Sequence, residues 1–329
     1  MSTELSGLAD TTTESTFPVW FQMGQHKAAR DYEVIPAPSR NDERWRFSSL
    51  QTILDGSVNA QISVSQEQAA EILKRSTGTT EAIANLVFAN DALIKGTAGA
   101  ALPSGVCFLP LAEAVHTHAE IIKTHFMQKD AVLGGEKFAA LHRANLRNGT
   151  FLYVPKNVQI TAPLQAFHWL AGENASVFPH TLVIAEDGAA VTLVDWFQSL
   201  KPTDSGMASG VSDLWVGKNA TVRYVAFQDW SRNVRSIQTN TTEVDRDGTA
   251  ISLSVQLGGK YVRTESVSNL NASGARSDML AVTVADSQQE FDQRTLQNHL
   301  APNTASDLLY KNALYDAART IFAGLIKVG

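Results

Sequence analysis

Three polar residues each stand directly before a tryptophan: His168 in FHW, Asp195 in VDW and Asp229 in QDW. An imidazole and two carboxylates are groups that bind metals or move protons. A fold that stacked the three motifs would set that chemistry in one line. The steps between them are 27 and 34 residues by subtraction, which is uneven. The competing expectation is that Trp169, Trp196 and Trp230 close a core at a corner while their polar neighbours point outward. His299, in QNHLAPN, is a fourth candidate ligand. Beside Pro302 and Asn303 it is expected instead to fix a turn through hydrogen bonds to the backbone. His116, His118 and His125 share the segment AEAVHTHAEIIKTHF. On one helix His118 and His125 lie seven apart, whereas metal pairs use spacings of three or four, so these read as solvated histidines. Cys107 is the single cysteine. It lies in an apolar pattern and is expected to be buried and inert. One cysteine excludes an intramolecular disulfide and any multi-cysteine metal site within one chain. The glycine-rich GTAGAALPSG lacks the Gly-Lys-Ser/Thr ending that a nucleotide-cradling loop needs.

Two kinds of elements must position these residues. Up to about residue 148 the periodicity is helical. SQEQAAEILKRS opens with Ser65 three residues before Gln68, a capping-box arrangement. TTEAIANLVFANDALIKG repeats apolar residues at spacings of three and four, and PLAEAVHTHAEIIKTHF and GGEKFAALHRANLRNG behave alike. SGVCFLPL between them is a short strand candidate. After Gly149 the period becomes two, and polar turns at Asn157, Gly188, Asn219, Gly248 and Gly274 recur at steps of 31, 31, 29 and 26 by subtraction. A near-constant step is the mark of stacked repeats. Two or three short strands per step without a helix fit one coil of a right-handed parallel β-helix, with an antiparallel sandwich as the alternative. The expected division is a mostly helical domain over 1–148 with a loose polar start, then a β-helix core over 149–329.

The 329 residues carry a net charge of −6, which argues against general nucleic-acid binding. The apolar runs are short of the roughly 20 residues that span a membrane. The opening MSTELSGLADTTTESTFP, with Glu4, Asp10 and Glu14, reads as neither a secretory signal nor a transit peptide. A cytoplasmic protein is expected.

Several long segments resemble the SufB/SufD family of iron–sulfur cluster assembly proteins. FPVWFQMGQHKAARDYEVIPAPSRNDERWRFSSL resembles the SufD-type N-terminal signature, with Glu43, Trp45, Arg46 and Phe47 in a Glu-x-Trp-Arg-aromatic run. KFAALHRANLRNGTFLYVPKNVQITAPLQ resembles the family's approach to its β-helix, although His142 stands where an asparagine is usual. HTLVIAEDGAAVTLVD and FDQRTLQNHLAPNTASDLLYKNALYDAARTIFAGLIKV are similar to the family's coils. Gln228 and Trp230 form a Gln-x-Trp arrangement that SufB-type scaffolds share. The Lys and Cys that follow it in SufB, where sulfur passes, have no counterpart between Ser231 and Gly259. The SufD type is therefore the better match, with a SufB-type scaffold as the alternative.

The resemblance implies a non-catalytic scaffold subunit that pairs with a SufB-type paralogue and acts with the SufC ATPase. It implies no cofactor on the isolated chain and a transient iron–sulfur cluster in the full complex. In the family, further coils and a C-terminal helical domain that docks SufC follow the strand ending at Val328. That domain is absent from this sequence, which reads as cut within the β-helix, with a homodimer through the open end as a further expectation. From a different class, a β-helix enzyme acting on acidic polysaccharide would need carboxylates grouped on one face, and Asp195 and Asp229 are the aligned acidic candidates.

Overall fold

A computed structural model describes residues 17–54, 62–97 and 102–329. The polar start and part of the glycine-rich stretch fall outside these residues. Helices α1 (Val19–Val34), α2 (Leu50–Leu54) and α3 (Gln66–Arg75) come first, with a 3-10 turn at Glu43–Trp45 between α1 and α2. Helices α4 (Leu111–Thr117), α5 (Ala119–His125) and α6 (Glu136–Asn145) follow. The expected capping box opens α3: Gln68 N–H donates to Ser65 Oγ at 3.2 Å, and Ser65 N–H to Gln68 Oε1 at 2.8 Å.

The segment from Thr79 to Gly96, expected to be helical, is instead a hairpin of β1 (Ala84–Ala89) and β2 (Ala92–Lys95). Asn90 and Asp91 turn it at φ 44° and 65°, the paired left-handed conformations that a two-residue hairpin loop requires. Both faces of β1 are buried, Leu86 and Phe88 on one side and Val87 and Ala89 on the other. A strand covered on both faces shows no alternation, so its apolar run imitates a helix. The helix expected across Leu111–Phe126 is also two helices, because the chain turns at His118 with φ −127° and ψ 32°.

The remaining strands are β3 (Cys107–Pro110), β4 (Thr150–Val154), β5 (Leu164–Leu170), β6 (Ala175–Val177), β7 (His180–Ala185), β8 (Ala190–Ser199) and β9 (Ser205–Val216). They continue through β10 (Thr221–Asp229), β11 (Asn233–Val244), β12 (Thr249–Gln256), β13 (Tyr261–Leu270), β14 (Arg276–Ala285), β15 (Glu290–His299), β16 (Ala305–Leu314) and β17 (Arg319–Val328). From β8 onward, successive strands alternate between two sheets. One runs β16-β14-β12-β10-β8-β5-β1-β2 and the other β17-β15-β13-β11-β9-β7-β4-β3. Pairing from β4 onward is parallel, and antiparallel pairing is confined to β1–β2 and β3–β4. The protein is a mainly β solenoid of about 6 turns after a small helical region. The antiparallel sandwich is thereby excluded.

The turns stack as their spacing predicts. Asn157 N–H donates to Asp187 O at 2.9 Å, Gly188 N–H to Lys218 O at 2.7 Å and Asn219 N–H to Arg246 O at 2.9 Å. In the fourth turn the left-handed residue is Asp247 (φ 54°) rather than the expected Gly248, and Gly274 (φ 78°) continues the column. Inside the coils, Leu86, Phe88, Leu164, Leu193, Leu214, Val222 and Val244 form one continuous core.

Candidate functional site

Strand alternation settles which side chains enter the solenoid. In β8 the inward series is Val191, Leu193, Asp195 and Phe197, and in β5 it is Leu164, Ala166, His168 and Leu170. His168 and Asp195 are therefore inside, 4% and 0% exposed. Their tryptophans, one residue later, lie on the outer faces. Trp169 donates to Ser76 Oγ at 2.9 Å beneath α3, and Trp196 to Gln165 Oε1 at 3.0 Å. This corrects the expectation of tryptophans inside and polar neighbours outside. The apolar series of each strand sets its inward face, and both indoles join the outer cluster with Ile72 of α3.

The three motifs do not share a line. His168 lies opposite Phe88 and Phe197, Asp195 opposite Ala166 and Ala226, and Asp229 opposite Gln198 on the outer face. His168 is stacked between Phe88 and Phe197, with ring centroids 5.1 and 5.2 Å away. Burial lowers its pKa to about 3, so the imidazole is neutral. Asp195 and Asp229 face opposite sides of one sheet and cannot act as a carboxylate pair. Trp230 does close a corner, packing with Phe197, Leu170 and Val234. Gln228 pins the neighbouring coil, exchanging hydrogen bonds with Gly258 O at 3.1 Å and Gly258 N–H at 3.2 Å.

Asp195 begins a polar ladder along the interior. Its Oδ2 accepts from Thr181 Oγ1 at 2.6 Å and Tyr224 Oη at 2.8 Å. Tyr224 meets Ser212 at 3.0 Å, Gln238 donates to Ser212 and to Asn240 Oδ1 at 3.0 Å each, and Asn240 donates to Ser266 at 3.1 Å. A second strip joins Gln256 to Thr264 at 2.8 Å, and Gln293 to Thr283 and Gln256 at 2.8 and 3.1 Å. Burial raises the Asp195 pKa to about 7 against the pull of its two hydroxyl donors. His299, at the end of β15, has Nδ1 2.7 Å from Thr304 Oγ1 and Nε2 2.9 Å from Ser306 Oγ. It fixes its turn through side-chain hydroxyls, not through the backbone as expected.

The sequence signature lies on the outside and works as a clamp. Trp45 is 1% exposed and donates to Gly134 O at 2.9 Å, while Glu43 and Arg46 stay exposed. The Arg263 guanidinium of β13 lies 3.6 Å from the Trp45 ring centroid. Arg263 also pairs with Glu265 at 2.7 Å and Asp292 at 2.6 Å, and donates to Arg44 O and Leu133 O. Burial opposes its charge, but Glu265 and Asp292 outweigh that and hold its pKa above the ordinary value. Ser49 N–H reaches Glu290 Oε1 at 2.9 Å. Residues 42–49 are thus fastened across β13 and β15.

A third polar group went unnoticed in the sequence. His142 of α6 donates from Nδ1 to Ser209 O at 2.7 Å, leaving Nε2 to accept from His180 Nδ1 at 3.1 Å. His180 Nε2 then faces Asp213 Oδ2 at 3.7 Å. Burial lowers the His142 pKa to about 4 and His180 well below its ordinary value, and raises Asp213 to about 7. Separations of 38 and 33 residues gave no local signal. Cys107, expected to be buried, is half-exposed beside His118. Among the described residues no group of three or more His, Cys, Asp or Glu side chains is placed to hold a metal ion. None of their helices is long and apolar enough to cross a membrane.

The fold and its sites define a parallel β-solenoid whose interior combines an apolar core with polar ladders and whose helical start is clamped to its outside. Residues 9–166 match the SufBD protein N-terminal region, and residues 168–329 match the SufBD core domain of the SUF system for iron–sulfur cluster assembly. The chain is 32% identical over 225 residues to an iron-sulfur cluster assembly SufBD family protein of Staphylococcus haemolyticus. That alignment covers 68% of this chain and 48% of the relative. A Staphylococcus aureus protein of the same description matches at 32% with the same coverage, and one from Staphylococcus saprophyticus at 31%. The chain belongs to the SufB/SufD family of iron–sulfur cluster assembly proteins. It spans about half the length of the curated relatives it matches.

Proposed function

We propose that the chain is a SufD-type subunit of the cytoplasmic Suf scaffold, pairing with a SufB-type paralogue and acting with the SufC ATPase. It serves as a non-catalytic scaffold, and the cluster is cargo that passes transiently through the full complex. The observation that carries this reading is the chemistry of the coils after Gln228 and Trp230. Their inward residues are Gln238, Asn240 and Thr242 in β11 and Ser252, Ser254 and Gln256 in β12. Hydroxyls and amides form hydrogen bonds, but accepting persulfide sulfur needs a thiolate. The chain's one cysteine lies on β3, outside the interior.

The Gln-x-Trp corner favours a second reading, a SufB-type scaffold, because that arrangement is shared with SufB. Co-purification separates the two. The full-length protein, tagged in its source organism, is expected to bring down a SufB-type paralogue and a SufC-type ATPase. Recovery of a SufD-type partner instead would establish the second reading, and recovery of neither would overturn both.

A further inference from the structure

The fold brings an imidazole to the chain's only thiol. Cys107 Sγ lies 3.2 Å from His118 Nε2. His118 occupies the break between α4 and α5, so its ring leaves the helix surface and reaches the terminal strand of the sheet. Its other nitrogen is 2.8 Å from Thr117 Oγ1, and that hydroxyl is 3.3 Å from Glu113 O. A carbonyl only accepts, so the Thr117 proton goes to Glu113, and the Thr117 oxygen receives the Nδ1–H of His118. Nε2 is then the bare nitrogen, aimed at the thiol. This is the tautomer in which an imidazole can take a thiol proton, with a third group orienting the base. Phe151 packs against the His118 ring at 5.4 Å between centroids and limits its swing. Cys107 itself is half-exposed, opposite Tyr153 across the β3–β4 pair. Partial burial raises the Cys107 pKa, so without a nearby base the thiol would stay protonated at neutral pH.

We propose that Cys107 is a thiol–disulfide exchange site for small-molecule disulfides, with His118 as its base and Thr117 as the positioning residue. His118 Nε2 takes the Sγ proton, and the thiolate attacks one sulfur of the disulfide. The S–S bond of the small molecule breaks as the Cys107 mixed disulfide forms. The departing thiolate takes the proton from the His118 imidazolium and leaves as a thiol, so atoms, charge and electrons balance without another reactant. The site is distinct from the solenoid interior and needs no cluster.

The test is the rate at which glutathione disulfide modifies the intact chain at pH 7, read by mass spectrometry of the whole protein. Wild type is expected to form one mixed disulfide, at Cys107. His118→Gln is expected to slow it by about 10-fold to 100-fold, up to the low end of general-base contributions. Thr117→Val should slow it as well, whereas Thr117→Ser, which keeps the hydroxyl, should restore the wild-type rate. Thr117 is exposed, so this second pair decides the matter even if the His118 variant folds poorly. Equal rates in wild type, His118→Gln and Thr117→Val, or modification of the wild type only after denaturation, would overturn the assignment.

Discussion

Replacing Asp195 with asparagine should change how the protein's stability depends on pH. The carboxyl is fully buried, and its pKa rises from 3.8 to about 7 in the fold. Between those values the folded protein holds a proton that the unfolded chain has released. Stability contributed by this group is therefore present below about pH 4 and is lost as pH rises toward 7. Three pH units at about 1.4 kcal/mol each set a ceiling of ~4 kcal/mol. Asparagine keeps a carbonyl oxygen for the Thr181 and Tyr224 hydroxyls but cannot ionise. Any cost of its amide group is constant with pH. Urea unfolding of wild type and Asp195→Asn at intervals from pH 4 to pH 8 separates the two effects. The difference between the proteins should move in the variant's favour by several kcal/mol across that range. Asp91 and Asp213 are also raised to about 7, but both proteins retain them, so the subtraction removes their share. Parallel stability curves would show that Asp195 is ionised within the fold and that the burial argument fails.

Arg263→Met should destabilise the chain by about 3–5 kcal/mol, because Glu265 would be left buried without its cation and Asp292 would keep only Arg294 as its own. Chemical denaturation measures it, and a change under 1 kcal/mol would refute the clamp. Asn219→Val places a branched side chain at φ 56° and should cost ~1–2 kcal/mol, while Asn219→Gly should be nearly neutral in the same melt.

The repeat was legible because each coil must reverse at the same place, and only Asn, Asp or Gly takes that left-handed turn cheaply. The drift from Gly248 to Asp247 cost nothing, since both residue types suit the turn. The hairpin at Asn90–Asp91 was misread because tertiary cover on both faces of β1 erased its alternation. The direction of His168 and Asp195 was misread for a related reason: a two-residue period says which residues share a face but not which face is inside. The clamp was half-legible. The Glu43–Trp45–Arg46 signature marked the place, but Arg263, 218 residues after Trp45 by subtraction, could only be paired with it by the fold. The His142–His180–Asp213 group depends on α6 lying over β7 and β9, a packing that no spacing within the chain encodes.

The two polar systems solve different problems of one architecture. Parallel coils of similar length could pair one residue out of step, and burial of each strand's inner face already opposes that slip. The interior ladder opposes it chemically. Moving β11 by one residue would turn Gln238 and Asn240 out of the solenoid and take one hydrogen bond from Ser212, which keeps Tyr224, and one from Ser266. Each hydrogen bond so lost contributes about 0.5–1.5 kcal/mol, so several rungs together add to the preference for one register. The outer clamp fixes what the ladder cannot, the docking of residues 42–49 and 133–136 onto β13 and β15. Its charges are buried as a complete set of Arg263, Glu265, Asp292 and Arg294, which is the condition under which buried ions favour one arrangement over its neighbours. Register inside and docking outside are thus each set by hydrogen-bonding groups whose partners lie on neighbouring coils or on the helical start.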